Sequence, residues 1–533
     1  MIRIIIPTQP ATHDCRIHDR HAPHSLSYGV IMQTGLHRDR KSRRVFPGMP
    51  VLAAWAIGLA ALGGSPQQAT AQRIAVPVSQ QSRDGQPADQ ATFLTNLRRS
   101  NYLLGDLFGL RTFLSKYGIT LVAQETSEIL GNPTGGTQKG AQYDGLTQVV
   151  MQLNTQRAFG FYGGLFNVSA LQLHGQNFSA DNLASIQTSS GIEADRGTRL
   201  WELWYDQKLL QEDRLDLKVG QQSVDQEFML SSNAAYFVNT MFGWPALPSY
   251  DMPGGGPAYP LSSLGLRLRY RPIDSISLLL GVFNGSPASS SDGDPQRINH
   301  NGTDFPLGGG RLIMAEVQFA YPSLGSMVYP GKPAPLSRTY RLGAWYDTEN
   351  FADQRYDGNG LSLANPSSSG VAANHRGNFS LYAVADQMLW RNANDPNNTL
   401  SGFVRVMGTP QNDRNFIRFS ANAGFVYHEP FRNRADDTFG VGMGYVKVGS
   451  QASGLDRDAA RVAAIVDPAS LNLVRSTETY VETTYQYQLR PWWQLQPDLQ
   501  YVFNPGGGIV NPNAPNRRVG NELVLGLRTN ILF

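Results

Sequence analysis

Apolar and polar residues alternate with a period of two along most of the chain beyond residue 118, and the last segment shows this most clearly. One face of that segment carries Leu523, Leu525, Leu527, Thr529, Ile531 and Phe533. The opposite face carries Glu522, Gly526, Arg528 and Asn530. Because successive side chains of a strand point to opposite faces, the alternation predicts a strand between an apolar and a polar environment.

The same pattern predicts sixteen strands, most of them nine to fifteen residues long. They lie near residues 119–130, 146–154, 160–174, 199–208, 214–221, 262–271, 275–284, 311–321, 337–347, 378–389, 400–408, 415–428, 438–448, 477–489, 492–503 and 520–533. Globular strands average about five or six residues, whereas roughly ten residues at a tilt of about 40° cross a ~25 Å apolar band. We therefore expect an all-β fold, a 16-stranded antiparallel transmembrane β-barrel.

The links between these strands alternate in length. The short links are 209–213, 272–274 and 490–491, and the long ones are 175–198, 222–261, 285–310, 348–377 and 449–476. Short periplasmic turns and long outer loops give this alternation in a barrel. Links 322–336 and 409–414 fit poorly, so the strand count could differ by one hairpin. A soluble β-sandwich or solenoid is the alternative, although sandwich strands would be shorter and no fixed repeat is visible.

Aromatic residues near the predicted strand ends suit the aromatic girdles of a membrane barrel, or else an ordinary core. They are Trp201, Tyr205, Tyr270, Trp493 and Tyr501. The chain ends at Phe533, which closes the alternating last strand and resembles the C-terminal signature of outer-membrane barrels. We expect this residue to be read by the barrel-assembly machinery.

The N-terminal region predicts a targeting segment followed by a short lead. A basic cluster at 38–44 precedes an apolar run at 45–64 and the stretch Ala69-Thr70-Ala71, which is the pattern of a secretory signal peptide. Residues 1–71 are therefore interpreted as an over-called start, with Met32 the favoured initiator, plus a signal peptide cleaved after Ala71. A membrane anchor is the alternative. Residues 72–118 form a periplasmic lead with one helix from Leu103 to Tyr117, and 119–533 form the barrel.

The net charge of the whole chain is misleading because the predicted leader carries much of it. The 533 residues hold 45 basic and 42 acidic side chains, a net charge of +3. Without residues 1–71 the balance is 37 basic to 39 acidic side chains, a net charge of −2, and Cys15 is also removed. This excludes a disulfide scaffold and leaves no basic stripe for nucleic acid. A mean hydropathy of −0.30 excludes a bundle of membrane helices.

Motifs of catalysis and metal binding are missing from the sequence. It contains no H-E-x-x-H, C-x-x-C, G-x-S-x-G or Walker pattern, and the four histidines beyond residue 71 are scattered. We therefore predict no catalytic residue, no metal and no cofactor, and a protein that is not an enzyme. A barrel hydrolase with a distant Ser–His pair is the remaining enzymatic alternative.

A barrel of sixteen strands is wide enough for an aqueous lumen whose inward residues select what passes. The 222–261 link is rich in aromatic residues and poor in charge, so we expect it to fold into the lumen. The candidate residues of the substrate path are those at inward-facing positions of the predicted strands and those in this link. Its residues are Glu202, Trp204, Asp206, Asp225, Glu227, Asn239, Trp244, Arg267, Arg269 and Arg271. The simpler interpretation is that these charges only solvate the lumen and the tryptophans pack under loops.

Several segments resemble the carbohydrate-selective porin family (OprB) from about residue 101 to 533. They include Gly105-Asp106-Leu107-Phe108-Gly109-Leu110-Arg111, Leu130-Gly131-Asn132-Pro133, Arg199-Leu200-Trp201-Glu202, Lys218-Val219-Gly220-Gln221, Phe242-Gly243-Trp244-Pro245, Tyr382-Ala383-Val384-Ala385-Asp386-Gln387 and Gln496-Pro497-Asp498-Leu499-Gln500-Tyr501. The resemblance implies a sixteen-stranded outer-membrane barrel that passes monosaccharides such as glucose by facilitated diffusion. It also implies a charged and aromatic constriction formed partly by inward-folded loops.

The function expected from the sequence is therefore that of an outer-membrane sugar porin. A general or anion-selective porin is one alternative, favoured by the arginine ladder Arg267, Arg269 and Arg271. A barrel-anchored structural or adhesion protein is another, although no segment is long enough for a further domain. Expected partners are small sugars, outer-membrane lipid and lipopolysaccharide, with a homotrimer as one oligomeric state and no nucleic acid.

Overall fold

A computed structural model describes residues 100–289, 293–323, 335–466 and 473–533. The predicted leader and the polar lead up to residue 99 lie outside the described residues. The described chain is dominated by long strands, joined by loops that carry short helices.

The strands have the following bounds. They are β1 (Leu121–Thr134), β2 (Gly140–Asn154), β3 (Gly164–Gly175), β4 (Gly197–Leu209), β5 (Leu215–Gln222), β6 (Ser263–Ile273), β7 (Ile276–Asn284), β8 (Arg311–Tyr321), β9 (Arg338–Asp357), β10 (Ala372–Arg391), β11 (Thr399–Gly408), β12 (Ile417–His428), β13 (Thr438–Val448), β14 (Thr477–Arg490), β15 (Trp493–Phe503), β16 (Val510–Asn511), β17 (Ala514–Arg518) and β18 (Glu522–Leu532).

The helices are α1 (Leu110–Lys116), α2 (Thr155–Phe159), α3 (Phe178–Asn182), α4 (Thr240–Gly243), α5 (Ala246–Asp251), α6 (Pro295–Ile298) and α7 (Ser450–Val466). Five short 3-10 turns lie at Gln211–Asp213, Val224–Gln226, Ala234–Tyr236, Pro253–Gly255 and Pro505–Gly507. In the part of the chain that the structure describes, no helix is both long and apolar enough to cross a membrane.

Sixteen of the strands close into one antiparallel barrel, which confirms the predicted fold and strand number. Each strand from β1 to β15 pairs with its neighbour in sequence, and β18 joins β15 to β1. Strands β16 and β17 form a separate small hairpin within the β15–β18 loop. Strands β8 and β9 pair directly, so the irregular link at 322–336 adds no strand to the barrel between them.

The outer surface of the barrel is apolar and the inner surface is largely polar. On β6, Leu266 is 42% exposed whereas its neighbour Arg267 is 2% exposed. On the last strand, Leu525 is 48% exposed whereas Arg528 on the inner face is buried. A closed sheet has no unpaired edge, so it satisfies its backbone within a bilayer while presenting apolar side chains to lipid.

Helix α1, the first strand and the C-terminal residue meet at the end of the barrel that carries the short turns. The backbone N–H of Phe533 donates to the carbonyl of Ala123 on β1 over 2.8 Å. The Arg111 guanidinium, on α1, donates to the carbonyls of Leu121 and Phe533. Helix α1 is thus docked against the seam at which the first and last strands close the barrel.

The predicted helix from Leu103 to Tyr117 is wrong in its first half, because α1 begins only at Leu110. Residues Gly105, Leu107, Phe108 and Gly109 all have positive φ values, between 50° and 88°. A right-handed helix cannot continue through left-handed residues, so the apolar spacing of this segment produces turns before the helix begins.

The prediction of Trp201 as a girdle residue is also wrong. Its side chain is 2% exposed and packs edge-on against Tyr259 of the inward loop, with 6.3 Å between ring centroids. The cause is a β-bulge, since Ser169 pairs with Glu202 while Ala170 pairs with Leu200. An extra residue in a strand shifts the alternation by one, so Trp201 and Glu202 both lie on the inner side.

The 449–476 segment is a link between strands, as predicted, and contains the helix α7, which spans 17 residues and was not predicted. Its apolar residues Ala452, Leu455, Ala459 and Val462 recur at helical intervals of three and four. Alanine-rich sequence also favours a helix over a strand.

Arginine substitutions on the lipid face test the strand phase. We expect Leu525→Arg and Leu266→Arg each to lower the free energy of unfolding by roughly 2–4 kcal/mol, because both place a charge near the middle of the apolar band. The measurement is denaturant unfolding in lipid vesicles. Ile273→Arg, at the last residue of β6 on the short-turn side, is the matched control and should cost about 0–1 kcal/mol. Equal stability of all three variants would show that these side chains do not face lipid.

Candidate functional site

The loop between β5 and β6, residues 223–262, folds into the barrel and packs against half of its wall. Its apolar residues include Phe228, Phe237, Phe242, Trp244 and Leu247, all buried. They share one core with inward residues from every strand between β7 and β15, among them Phe283, Trp345, Phe403, Tyr480 and Val502. The loop therefore closes the lumen along β7–β15 and confirms the expected inward fold.

Aromatic contacts and glycines shape this core. The ring of Phe242 stacks on Phe237 at 4.4 Å between centroids and meets Tyr480 edge-on at 5.4 Å. A Cβ on Gly442 of β13 would lie 2.6 Å from the Phe242 ring. A larger residue at Gly442 would therefore push the loop away from the wall.

Carboxylates on the wall accept hydrogen bonds from the loop backbone. Glu316 on β8 accepts from the N–H of Met229 over 2.9 Å. Glu482 on β14 accepts from the N–H groups of Val238 and Asn239 over 2.6 and 3.0 Å. A buried backbone donor must be paired inside the protein. These carboxylates therefore replace the hydrogen bonds that the loop N–H groups would make to water if they were exposed.

Asp386 on β10 holds a further turn of the loop. Its carboxylate accepts from the Ser231 hydroxyl over 2.7 Å and from the Asn233 N–H over 3.1 Å. Arg341 on β9 pairs with the same carboxylate over 3.1 Å. This contact balances the charge of Asp386 within the lumen.

Arg405 on β11 donates hydrogen bonds to the loop carbonyls, just as the wall carboxylates accept hydrogen bonds from the loop N–H groups. Its guanidinium, 1% exposed, donates to the carbonyls of Met229, Met241, Phe242 and Gly243. Several of the loop's otherwise orphaned acceptors are thus satisfied by one side chain.

The opposite wall, β4–β6, carries a cluster of charges that meets the start of the loop at Glu227. Lys218 on β5 donates to Glu227 over 3.0 Å, and Arg269 on β6 donates to it over 2.9 Å. Arg267 also pairs with Glu227, at 3.4 Å. Glu227 therefore binds the loop to this wall through three cationic side chains.

Two further carboxylates complete this charged cluster. Asp216 on β5 pairs with Arg267 and lies 3.7 Å from Arg269. Asp206 on β4 lies 4.0 Å from Arg267. The cluster thus contains three cations and three carboxylates, and the arginine ladder does not present a bare positive surface.

Trp204 on β4 faces the same cluster. The Lys218 ammonium lies 4.0 Å from its ring centroid, a cation–π contact. The indole Nε1 has no hydrogen-bond partner among the described residues. Half-buried Trp204 therefore places an aromatic surface next to charged groups, while its Nε1 is itself buried.

Glu202 and Asp225 position the first residues of the loop. Glu202 accepts from the N–H of Ser223 over 3.2 Å, and Asp225 accepts from the Ser223 hydroxyl over 2.5 Å. The N–H of Tyr259 donates to Asp225 over 3.5 Å. Burial raises the pKa of Asp225 to about 6, so its charge is sensitive to mild acidification.

Besides Glu202 and Asp225, three predicted site residues lie outside the charged cluster. Trp244 is buried in the apolar core of the loop and donates from Nε1 to the carbonyl of Gly255 over 2.9 Å. Asn239 caps α4 and donates to Gln500 on β15 over 3.0 Å. Arg271 lies at the short-turn end of the barrel and donates to the carbonyls of Glu212 and Asp213.

Sequence reasoning missed Lys218 and Asp216 as site residues. Both alternate inward on β5, between the inward residues of β4 and β6. The register pairs Asp206 with Lys218 and Lys218 with Arg267. Alternation along the 214–221 strand was therefore the signal that could have placed them in the cluster.

A closed barrel with an apolar outer surface, long loops at one end and a loop folded into a charged lumen defines an outer-membrane porin. Comparison with known proteins identifies the family. Residues 138–533 match the family described as "Carbohydrate-selective porin, OprB family". The chain belongs to this family, and its location is the outer membrane.

Two similar proteins illustrate the relationship. Porin B of Pseudomonas aeruginosa is 24% identical over 451 residues, which cover 81% of this chain and 92% of Porin B. The high pH structure of Pseudomonas putida OprB superposes with a TM-score of 0.69 at 24% identity. That comparison covers 81% of this chain and 99% of the other. Each comparison covers most of both chains, and the structural match shows that this chain and Pseudomonas putida OprB have the same fold.

Removal of the Arg405 guanidinium should loosen the inward loop. In Arg405→Met several buried carbonyls lose their donors, each at a cost of about 1–3 kcal/mol, so the loop should leave its position part of the time. We expect larger and noisier single-channel conductance in planar bilayers. Arg432→Met, in an exposed turn, is the matched control. Conductance equal to that of the parent would show that Arg405 does not fix the constriction.

Because the pKa of Asp225 is about 6, the ion selectivity of the channel should depend on pH. The carboxyl is mostly ionised at pH 7 and takes up a proton as the pH falls through about 6, which removes a negative charge beside the lumen. We expect the cation-to-anion permeability ratio, from reversal potentials in a KCl gradient, to fall between pH 7 and pH 5. Asp225→Asn should show a smaller fall, and identical profiles for parent and variant would contradict the assignment.

Proposed function

We propose that this porin passes monosaccharides such as glucose into the periplasm by facilitated diffusion. The solute path runs along the partly exposed side chains of the β4–β6 wall, beside the contact between that wall and the inward loop at Glu227. The observation that carries the proposal is the half-buried ring of Trp204 beside Lys218, with the carboxylate of Asp206 two residues away on the same strand. A sugar presents C–H faces that pack on an aromatic ring and hydroxyls that bond to charged groups.

The charge balance of the cluster favours a neutral, hydroxyl-rich solute. Glu227 and Asp216 pair with the arginines of β6 at short range, so the field of the arginine ladder is largely cancelled within the wall. A porin selective for anions would instead need unpaired cations along its path. The anion-selective alternative therefore receives less support than the carbohydrate one.

The predicted site residues take different roles in this proposal. Trp204, Asp206 and Arg269, together with Lys218, would contact the sugar. Glu202, Asp225, Glu227 and Arg267 would position the start of the loop. Asn239 and Trp244 would maintain the shape of the loop, and Arg271 would lie at the periplasmic mouth.

The family description supports this substrate class, since it names carbohydrate selectivity. Recognition of Phe533 by the barrel-assembly machinery, contact with lipopolysaccharide and formation of a homotrimer stay predictions. Phe533 itself lies at the closing seam, where an assembly factor would meet the last strand to pair.

Block of ion current by glucose tests the proposal. We expect glucose to reduce the conductance of the parent channel, and Trp204→Ala to weaken that block by about tenfold in apparent affinity, since the ring face contributes roughly 1–2 kcal/mol. The matched control is Trp390→Ala, because Trp390 lies on the outer face and its removal should leave the block unchanged.

Two outcomes would contradict the proposal. If glucose never alters the parent conductance while phosphate does, the carbohydrate path is wrong and the anion-selective alternative gains support. If both tryptophan variants behave like the parent, sugar passes without contact to Trp204.

A further inference from the structure

We propose that α7 and the outer part of the β9–β10 hairpin form a cap that sets the size of solutes reaching the constriction. Arg355, Asp456, Asp458 and Arg475 are then size-selectivity determinants of the porin. This inference rests on the proposed function, because it assigns a filter to the same solute path.

The hairpin rises beyond the rim of the barrel at the end with the long loops. Pairing of β8 with β9 ends at Leu312 and Asp347, whereas β9 and β10 remain paired up to Asp357 and Ala372. At roughly 3.3 Å per residue, the stretch beyond Asp347 projects by up to about 30 Å.

Helix α7 is tied to this projection by a clasp at Asp458. The Arg355 guanidinium donates to both oxygens of Asp458, over 2.8 and 3.1 Å, and the Ser362 hydroxyl donates to one of them over 2.8 Å. Gly454 allows the close approach, since a Cβ there would lie 2.7 Å from the Arg355 guanidinium. Arg355 lowers the pKa of Asp458, which keeps the carboxylate charged.

The position of this clasp makes α7 cross the tips of other strands. The helix follows β13, whereas Arg355 belongs to β9, four strands away around the barrel. Helix α7 must therefore pass the ends of β10, β11 and β12. The chain that enters α7 is fixed to the β11–β12 loop, because the N–H of Gly449 donates to the carbonyl of Phe416 over 2.7 Å.

A second clasp fixes the other side of the helix. Asp456 accepts from the side chain of Arg475 over 2.6 and 2.9 Å and from its backbone N–H over 2.9 Å. The hydroxyl of Ser453 donates to the Arg475 carbonyl over 2.7 Å. Bidentate arginine–carboxylate pairs of this kind are geometrically specific, so they fix the position of α7 above the barrel.

The cap is linked to the constriction loop through Phe416, which precedes β12. The Arg475 guanidinium lies 5.0 Å from the Phe416 ring centroid, and the same ring packs against Tyr250 at 5.3 Å. The N–H groups of Phe416 and Ile417 donate to Asp251, at the end of α5, over 2.8 and 3.2 Å. The position of the cap is therefore coupled to that of the constriction loop.

Liposome swelling with saccharides of increasing size tests the cap. The probes are glucose, sucrose and raffinose, and the variants are Asp456→Asn combined with Asp458→Asn, and replacement of residues 450–466 by a short Gly–Ser linker. Strands β13 and β14 pair directly, so the barrel should still close, which heat-modifiable migration on gels would verify. We expect the raffinose-to-glucose rate ratio to rise at least about threefold while the glucose rate stays unchanged.

Exchange of the charges at Arg355 and Asp458 distinguishes an effect of this ion pair from a general loss of packing. Arg355→Asp alone should raise the ratio, and Arg355→Asp with Asp458→Arg should bring it back toward the parent value. An unchanged ratio in the linker variant and in the double asparagine variant would overturn the cap. If glucose does not block the parent channel but the raffinose-to-glucose rate ratio still rises in the variants, the monosaccharide proposal is wrong and the cap proposal is supported.

Discussion

The constraint on which the lumen depends is that a loop buried inside a barrel must have its backbone polar groups paired by the barrel wall. Each unpaired buried group costs about 1–3 kcal/mol, and the inward loop turns several of its N–H and C=O groups toward β7–β15. Glu316, Asp386 and Glu482 accept from the N–H groups, and Arg405 donates to the carbonyls. With these partners in place, an apolar aromatic core forms between loop and wall, and the position of the loop defines the lumen.

This arrangement divides the interior into two halves with different chemistry. The β7–β15 half is filled by the loop and its apolar core. The β4–β6 half keeps its charges, which are paired with one another and with Glu227 at the start of the loop. The second half combines a tryptophan ring with balanced charges, and this combination suits a neutral hydroxyl-rich solute better than an ion.

Local alternation was enough to predict all sixteen strands, because each strand of a membrane barrel must separate lipid from lumen along its whole length. The pattern failed wherever an element left that environment. Trp201 lies at a bulge that shifts the alternation, and α7 lies outside the membrane, where helical propensity decides. The site was only partly predicted, since Lys218 and Asp216 become neighbours of Arg267 through register across strands. Arg405 meets loop carbonyls more than 160 residues away in the sequence, a contact that no short pattern encodes.

The separation of the two halves has an evolutionary consequence. Arg405, Glu316 and Glu482 hold the loop from β11, β8 and β14, so substitutions on β4–β6 leave their hydrogen bonds intact. Lys218 and Arg269 are the exceptions, since they also bind the start of the loop through Glu227. A lineage can therefore explore new solute preferences by changing a few inward side chains of three adjacent strands, without putting the folding of the barrel at risk. Diversification within such a family is expected to concentrate there, while the anchoring wall drifts slowly.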